Sequence, residues 1–450
     1  MGNIRVFDTQ AAAKVDFRPL KPGEFSLYYC GPTVYNYVHL GNLSPVVVFD
    51  ILTRLFRAEG YKTKVVSNYT DIDDKIIAEA LAEHKTEKEI SGFYIAAYED
   101  SLSKLNLLPL FRRPRASEVI DKMKDFIKTL LDKGAAYKSG GDVYFRTSAV
   151  SDYGVMSHMA VEQNQAGKRI DVSDLKENPA DFALWKKTAD EGIKFASPFG
   201  EGRPGWHTEC VVMIKDSFGQ PMVDIHGGGF DLKFPHHENE RAQSLAYDGT
   251  PLASYWMHVG FLTAEGGVKM SKSLGNVVLA KDCLAKYSGN ALRLFFSQNH
   301  YRAPVAYSED AMSKAEADAS RYVATMDKLA LRAAWLKIPL ADAESDPVSF
   351  GKAVGFLEDD LNIANALTVL DAEQKRALTV LRPMHPKPEE LRRSYATLST
   401  LYDLIGISVP ARTLSDEDRK ALDGFEKARA AKDYVSSDAI RTRLLEKGIL

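Results

Sequence analysis

The sequence predicts an α/β chain: a parallel sheet with an inserted connecting region in its front part, then an all-helical back part. Three observations carry this. Strand and helix patterns alternate over the first 80 residues. Short strands and glycine-rich turns return between residues 203 and 290, as if the sheet were resumed. From about Tyr307 onward, long Ala-, Leu-, Lys- and Glu-rich stretches leave almost no strand signal. Strands interleaved with helices build parallel sheets, while sustained helical periodicity without strands builds bundles.

Each element has a local reason. Residues 25–30 form a short apolar, aromatic-rich run and read as a strand. Ser44-Pro45 then predicts a helix start, because Ser suits the N-cap and Pro the first helical position. That helix should run to about Glu59 and stop at Gly60. Residues 63–68 read as the next strand, which completes a βαβ unit. Residues 90–137 look helical and basic, with nine Lys/Arg against four Asp/Glu between Lys104 and Lys138. Residues 142–146 alternate as a strand, and 151–192 look irregular. The helical part should begin near Ser308, broken once by a proline-rich loop at 383–388.

Composition narrows the function classes. The chain has 450 residues, 45% hydrophobic and 26% charged, as in an ordinary soluble globular protein. Its formal charge of −3 does not mark a nucleic-acid binder. Local patches are another matter. Residues 427–450 carry six Lys/Arg against three Asp/Glu, and 375–393 carry six against two. Phosphate contacts need only such patches. The three cysteines, Cys30, Cys210 and Cys283, are too few for a disulfide scaffold. Neither a signal core nor an apolar run of membrane length is visible. The expected location is cytoplasmic, where thiols stay reduced and can bind metal.

Four segments stand out chemically. His39-Leu-Gly-Asn42 precedes the Ser44 helix, and helix N-termini bind phosphate; Gly41 permits close backbone approach. Lys269-Met-Ser-Lys-Ser273 places two lysines in a Gly- and Ser-rich loop, suited to clamping a polyphosphate. His236-His-Glu-Asn-Glu240 is dense in metal ligands. In a helix, His236 and Glu240 share a face, although His237 and Glu238 remain rivals. Cys30 and Cys210 are the natural thiolate partners for a tetrahedral zinc site. Asp224-Ile-His226-Gly-Gly-Gly229 leaves room for a flat ligand against backbone, and Trp206 stands ready to wall a small pocket.

Together these segments resemble the class I aminoacyl-tRNA synthetases, and within them the cysteinyl-tRNA synthetase family. His39–Asn42 is similar to the first class signature, with Leu and Asn replacing Ile and His. Lys269–Ser273 matches the second in full. Family-specific blocks include Tyr29-Cys-Gly-Pro-Thr-Val-Tyr35, Thr70-Asp-Ile-Asp-Asp-Lys75, Gly202-Arg-Pro-Gly-Trp-His-Thr-Glu-Cys210 and Phe234-Pro-His-His-Glu-Asn-Glu240.

The resemblance implies a Rossmann-like catalytic domain over 1–110 and 200–306, with a connective insertion at 111–199. It implies a helical tRNA-binding bundle over 307–409 and a shortened anticodon-binding segment at 410–450. It implies one zinc ion per chain, on Cys30, Cys210, His236 and Glu240, ligating the thiolate of substrate cysteine. Sites that recognise a polar group in this way discriminate without editing, so no editing domain is expected. The resemblance places Gly31, Thr70, Trp206 and Asp231 around the amino acid. It places His226 and Gly227 near adenosine, with Mg²⁺ accompanying ATP. His39, Gly41 and Asn42 would meet phosphate oxygens, and Lys269 and Lys272 the departing pyrophosphate. The implied partners are cysteine tRNA, ATP and L-cysteine; the expected protein is a monomer and not a membrane protein. A close rival is the cysteine ligase of mycothiol synthesis, which shares the catalytic core; residues 410–450 argue against it. Cys283 has no role in this reading.

Overall fold

The structure is a computed structural model and describes residues 2–158, 175–188, 192–264 and 277–450. The chain forms two compact units, Met1–Lys286 with Tyr301–Tyr307, and Tyr287–His300 with Ser308–Leu450.

The first unit opens with an antiparallel hairpin, β1 (Arg5–Asp8) and β2 (Ala13–Asp16). Strand β3 (Glu24–Tyr29) follows, then helix α1 (Leu43–Ala58) and β4 (Lys62–Ser67). Helix α1 is buried along nearly its whole length and is accordingly apolar on most sides. It starts earlier than the Ser44 cap implied. Asn42 Oδ1 accepts the His39 N–H at 3.0 Å, and the Asn42 N–H donates to His39 O at 2.9 Å. This closes a 3₁₀ turn over Leu40–Asn42, so helical backbone is already set at Leu43. Pro45 still lies in the first turn, where a missing N–H leaves nothing unpaired. Gly60, at φ +84°, ends the helix as expected.

Helices α2 (Asp74–Glu83) and α3 (Glu87–Ser103) come next. The continuous helical stretch expected over 90–137 is interrupted. After a turn at 104–106, residues 107–115 run beside β4: the Phe111 N–H donates to Val65 O at 2.8 Å and the Tyr69 N–H to Pro114 O at 2.9 Å. Prolines 109 and 114 exclude helix there. Helix resumes in α4 (Ile120–Asp132). Strands β5 (Ala136–Ser139), β6 (Asp142–Phe145), β7 (Phe182–Lys187) and β8 (Gly202–Pro204) form one antiparallel sheet in that order. Strand β7 thus lies inside the stretch expected to be irregular. Phe182, Leu184 and Trp185 are all buried, so it lacks the polar alternation that marks a strand in sequence.

Helix α5 (Trp206–Phe218), strand β9 (Val223–Gly229), helix α6 (Glu238–Asp248) and strand β10 (Ala253–Val259) follow. Short strands β11 (Leu262–Thr263) and β12 (Val305–Ala306) pair in parallel, and α7 (Ala280–Lys286) lies between them in sequence. The main sheet is parallel, in the order β10-β9-β3-β4. Leu27, Val66 and Ile225 are fully buried in it, as helices covering both faces require. Strands β4 and β9 lie on opposite sides of β3, so the winding reverses there. Crevices at the carboxyl ends of strands beside such a reversal are where α/β sheets bind ligands.

The second unit is helical: α8 (Gly289–Ser297), α9 (Glu309–Leu336), α10 (Pro347–Glu358), α11 (Ile363–Val380), α12 (Pro388–Ile405), α13 (Asp416–Ala430) and α14 (Tyr434–Glu446). Ser308 caps α9, its side chain accepting the Ala311 N–H at 3.1 Å. Residues 287–300 fall in this unit rather than with residues 200–286. The fully buried Arg293 of α8 donates from Nε and Nη2 to Ile405 O, at 3.0 and 2.7 Å. Leu331, Trp335, Leu422, Phe425, Leu444 and Ile449 form the core under α13 and α14. None of the helices described is long and apolar enough to cross a membrane.

Candidate active site

Four side chains far apart in sequence meet at the carboxyl ends of β3 and β9. Cys30 follows β3 directly and is fixed by its N–H, which donates to Gly227 O at 3.1 Å. Cys210 lies in α5, His236 in the turn before α6, and Glu240 in the first turn of α6. That turn (Lys233–His237) is irregular, yet it preserves the expected pairing, with His236 Nε2 2.8 Å from Glu240 Oε1. Cys30 Sγ and Cys210 Sγ are 3.8 Å apart, and Cys210 Sγ is 3.8 Å from His236 Nε2. Cys210, His236 and Glu240 are buried.

This donor set fits a zinc ion. With metal–sulfur bonds of about 2.3 Å, the sulfur–sulfur edge of a tetrahedron is about 3.8 Å. Glu240 Oε1 is buried and takes no hydrogen bond, although the His236 nitrogen lies beside it. Two electron-rich atoms that close, with no hydrogen bond joining them, suit a shared cation. A second set, Cys30, His226, His237 and Glu240, also clusters and shares two members with the first. Its contacts read as hydrogen bonds: His226 Nε2 to Glu240 Oε2 at 2.6 Å, and His237 Nε2 to Cys30 Sγ at 3.3 Å.

Electrostatics favour charge on Cys30 and Glu240, while hydrogen bonding with Cys30 and burial push the Cys210 thiol well above its ordinary range. Burial pushes the Cys30 thiol up, but hydrogen bonding with Cys210 and the neighbouring His237 carry it well below the usual thiol range. Burial also opposes charge on Glu240, yet His236 and His226 hold its carboxyl below the ordinary value. Outside this set runs a chain of histidines. His237 Nδ1 lies 2.8 Å from His258 Nε2, and His258 Nδ1 lies 2.8 Å from Thr9 Oγ1. His207 Nδ1 lies 2.9 Å from His236 Nδ1. Such outer contacts orient ligand rings and fix their tautomers.

A family model described as "tRNA synthetases class I (C) catalytic domain" matches residues 16–317. A cysteine–tRNA ligase of Brevibacillus brevis is 40% identical, over 99% of this chain and 97% of its own length. One from Staphylococcus aureus is 38% identical, with the same coverage. The chain belongs to the cysteine–tRNA ligase family of class I tRNA synthetases. Solved structures share the fold. The Mycobacterium tuberculosis methionyl-tRNA synthetase in complex with methionyl-adenylate superposes with a TM-score of 0.61 at 16% identity, covering 85% of this chain and 89% of that one. The Agrobacterium radiobacter LeuRS, in a ternary complex with tRNA and LeuAMS, gives 0.61 at 12%, covering 91% and 86%.

Beside the four ligand candidates lies a cleft of about 330 Å³. Gly31, His39, Gly41, Asn42, Trp206 and Asp231 all line it. Trp206 stacks on His236 with ring centroids 4.0 Å apart, so one indole face borders the ligand cluster. Gly31 is forced to be glycine: a Cβ there would sit 1.7 Å from Asn68 O. Among the described residues, His226, Gly227 and Thr70 do not line the cleft. His226 is fully buried and hydrogen-bonded to Glu240 at 2.6 Å and to Tyr28 O at 3.1 Å. Gly227 lies against the Phe49 ring. Thr70 is buried and donates to Glu209 Oε2 at 3.0 Å. Lys269 and Lys272 lie outside the described residues.

Sequence reasoning missed the outer groups. His258 and Thr9 join the cluster only through folding, from strand β10 and the N-terminal hairpin. Glu209 sits next to Cys210, yet only the structure shows it reaching Thr70. Burial pushes its carboxyl well above the ordinary range, so it is poised to stay neutral.

Proposed function

We propose that this chain joins L-cysteine to the 3′ end of cysteine tRNA in two steps. In the first, a cysteine carboxylate oxygen attacks the α-phosphorus of ATP; the bond to the β-phosphate oxygen breaks and pyrophosphate leaves. In the second, a terminal ribose hydroxyl attacks the adenylate carbonyl carbon; AMP leaves and the hydroxyl proton is released. The observation that carries this reading is the buried meeting of Cys30, Cys210, His236 and Glu240 at the edge of a cleft lined by the His39–Asn42 signature.

Those four residues would hold one zinc ion. The bound metal supplies a soft acceptor for the substrate thiolate, which a serine hydroxyl does not replace at neutral pH. The protein's own residues do the rest. Trp206 closes one side of the amino-acid pocket, and Asp231 offers a carboxylate to the substrate ammonium. His39 and Asn42 lie at the turn that opens α1, where free N–H groups favour phosphate. Lys269 and Lys272 would neutralise the departing pyrophosphate, with Mg²⁺ travelling with ATP. Gly229, where β9 ends beside the cleft, leaves backbone free for adenosine. The helical unit would bind the body of the tRNA, and 410–450 the anticodon region. We place the enzyme in the cytoplasm as a monomer.

Two assays test this. Cysteine-dependent exchange of pyrophosphate into ATP should appear in zinc-replete protein; its absence sinks the enzyme reading. Charging of cysteine tRNA transcripts, wild type and anticodon-mutated, should follow; equal charging of both would remove the anticodon role.

A further inference from the structure

The cleft has two aromatic walls of different make. Phe230 and Phe261, with ring centroids 5.4 Å apart, stand just past the carboxyl ends of β9 and β10. That edge of a parallel sheet is where nucleotides bind, so this wall suits adenosine. Tyr35 and Tyr37 line the cleft on the segment between β3 and α1. Each carries a lysine over its ring: Lys75 of α2 over Tyr35 at 5.3 Å, and Lys281 of α7 over Tyr37 at 4.9 Å. Farther out stands Phe93 of α3, 56% exposed, edge-on to Tyr37 at 6.0 Å.

A small nucleotide has no use for an aromatic row that continues past the cleft. Single-stranded nucleic acid does: its bases stack on exposed rings and its phosphates meet point charges between them. Lys281 does pair with its neighbour Asp282 at 2.6 Å, but both side chains are exposed, so the pair holds little and leaves the ammonium available. The net charge of −3 is no obstacle, because the contacts needed are local.

We infer that Tyr35, Lys75, Tyr37, Lys281 and Phe93 form the track along which the unpaired 3′ end of the RNA substrate enters the cleft. This rests on the reading above that the acceptor is an RNA. The row leads the terminal ribose toward the cleft, while the opposite wall keeps the adenosine.

The test uses the full chain and an RNA hairpin with a short unpaired 3′ tail, compared with the same hairpin made blunt. Binding is followed by fluorescence anisotropy at fixed salt. Wild type should bind the tailed hairpin more tightly. Phe93→Ala and Lys281→Met change exposed side chains, and each should weaken the tailed hairpin by roughly fivefold to a hundredfold while leaving the blunt one unchanged. Lys75→Met should act likewise and flatten the salt dependence by about one phosphate contact. A double variant, Phe93→Ala with Lys281→Met, that keeps the full tail preference overturns the track. So does a wild type with no tail preference. Pyrophosphate exchange by wild type tests the parent reading separately: exchange without tail preference sinks only the track, and tail preference without exchange sinks only the adenylation chemistry.

Discussion

Replacing Cys210 by Ser should release the metal, and this substitution also decides between the two overlapping ligand sets. Cys30 and Glu240 belong to both, so changing either is uninformative. Cys210 and His236 belong to one, His226 and His237 to the other. Zinc held by four protein donors contributes on the order of 10–16 kcal/mol in small folded sites, about 3 kcal/mol for each donor. Losing Cys210 should then weaken binding by roughly a hundredfold or more. His237→Gln removes an outer contact to Cys30, 3.3 Å away, and should weaken binding only about tenfold. The assay is zinc per chain after dialysis against graded chelator, repeated with cobalt, whose thiolate charge-transfer absorption reports the sulfur ligands. Wild type should show the two-thiolate band and Cys210→Ser a metal-poor protein. If Cys210→Ser keeps its zinc while His237→Gln loses it, the ligands are the second set and the assignment falls.

Three more outcomes follow from the same structure. Lys272→Ala should slow adenylate formation in single-turnover experiments with cysteine affinity nearly unchanged; a large loss of cysteine binding with an intact chemical step would refute the role. Arg54→Met should lower stability by about 3–5 kcal/mol in urea titration, because it leaves Asp50 charged, buried and without its 2.8 Å partner; a change below about 1 kcal/mol would show that the pair is not needed. Burial pushes the Asp216 carboxyl up, but hydrogen bonds from Lys122 and Arg112 hold it below the ordinary range. A carboxyl lowered in the folded state stabilises above its unfolded value near 3.9, and that contribution fades as pH falls through the lower folded value. Asp216→Asn should therefore lower the melting temperature at pH 7 and make little difference near pH 2; an equal deficit at both would exclude the charge.

Much of the fold was legible because its signals are local. The β3–α1–β4 unit rests on an apolar run, a helix start signalled by Ser44-Pro45 and a stop at Gly60, and a second apolar run. Strand β7 escaped because Phe182 to Trp185 are four consecutive apolar residues followed by two lysines, which hides the alternation that marks a strand. The helix start moved by two residues, from Pro45 to Leu43, because the 3₁₀ turn closed by Asn42 and His39 sets helical backbone early. The cleft residues nearest to the chain's signatures were also legible. His226 was not, since a histidine followed by three glycines gives no hint that its ring turns into the core.

The spacing around His236 left three neighbours as candidate ligands, and the backbone conformation bears on the choice among them. An unbroken helix from residue 233 would place His236 and Glu240 on one face and His237 on the next. The backbone is instead irregular over Lys233–His237, with Phe234 in extended geometry, and becomes regular only at Glu238. The His237 ring is then held by His258 at 2.8 Å, while Glu238 accepts the Met156 N–H at 2.8 Å. Each rival has one atom held by a partner far away in sequence, while His237 Nε2 still faces Cys30 Sγ at 3.3 Å and Glu238 Oε1, like Glu240 Oε1, takes no hydrogen bond. What remains for the cleft side is His236, stacked on Trp206, and Glu240, which is held by His226 on one oxygen and has the other free of hydrogen bonds. How these adjacent donors are oriented thus depends on the β10 strand and the turn near Met156, neither of which carries a candidate ligand. A His258→Phe change, which removes the partner of His237, is the direct probe of this account: it should broaden the cobalt spectrum by releasing a rival nitrogen next to Cys30, and an unchanged spectrum would mean that His237 is kept out by position alone.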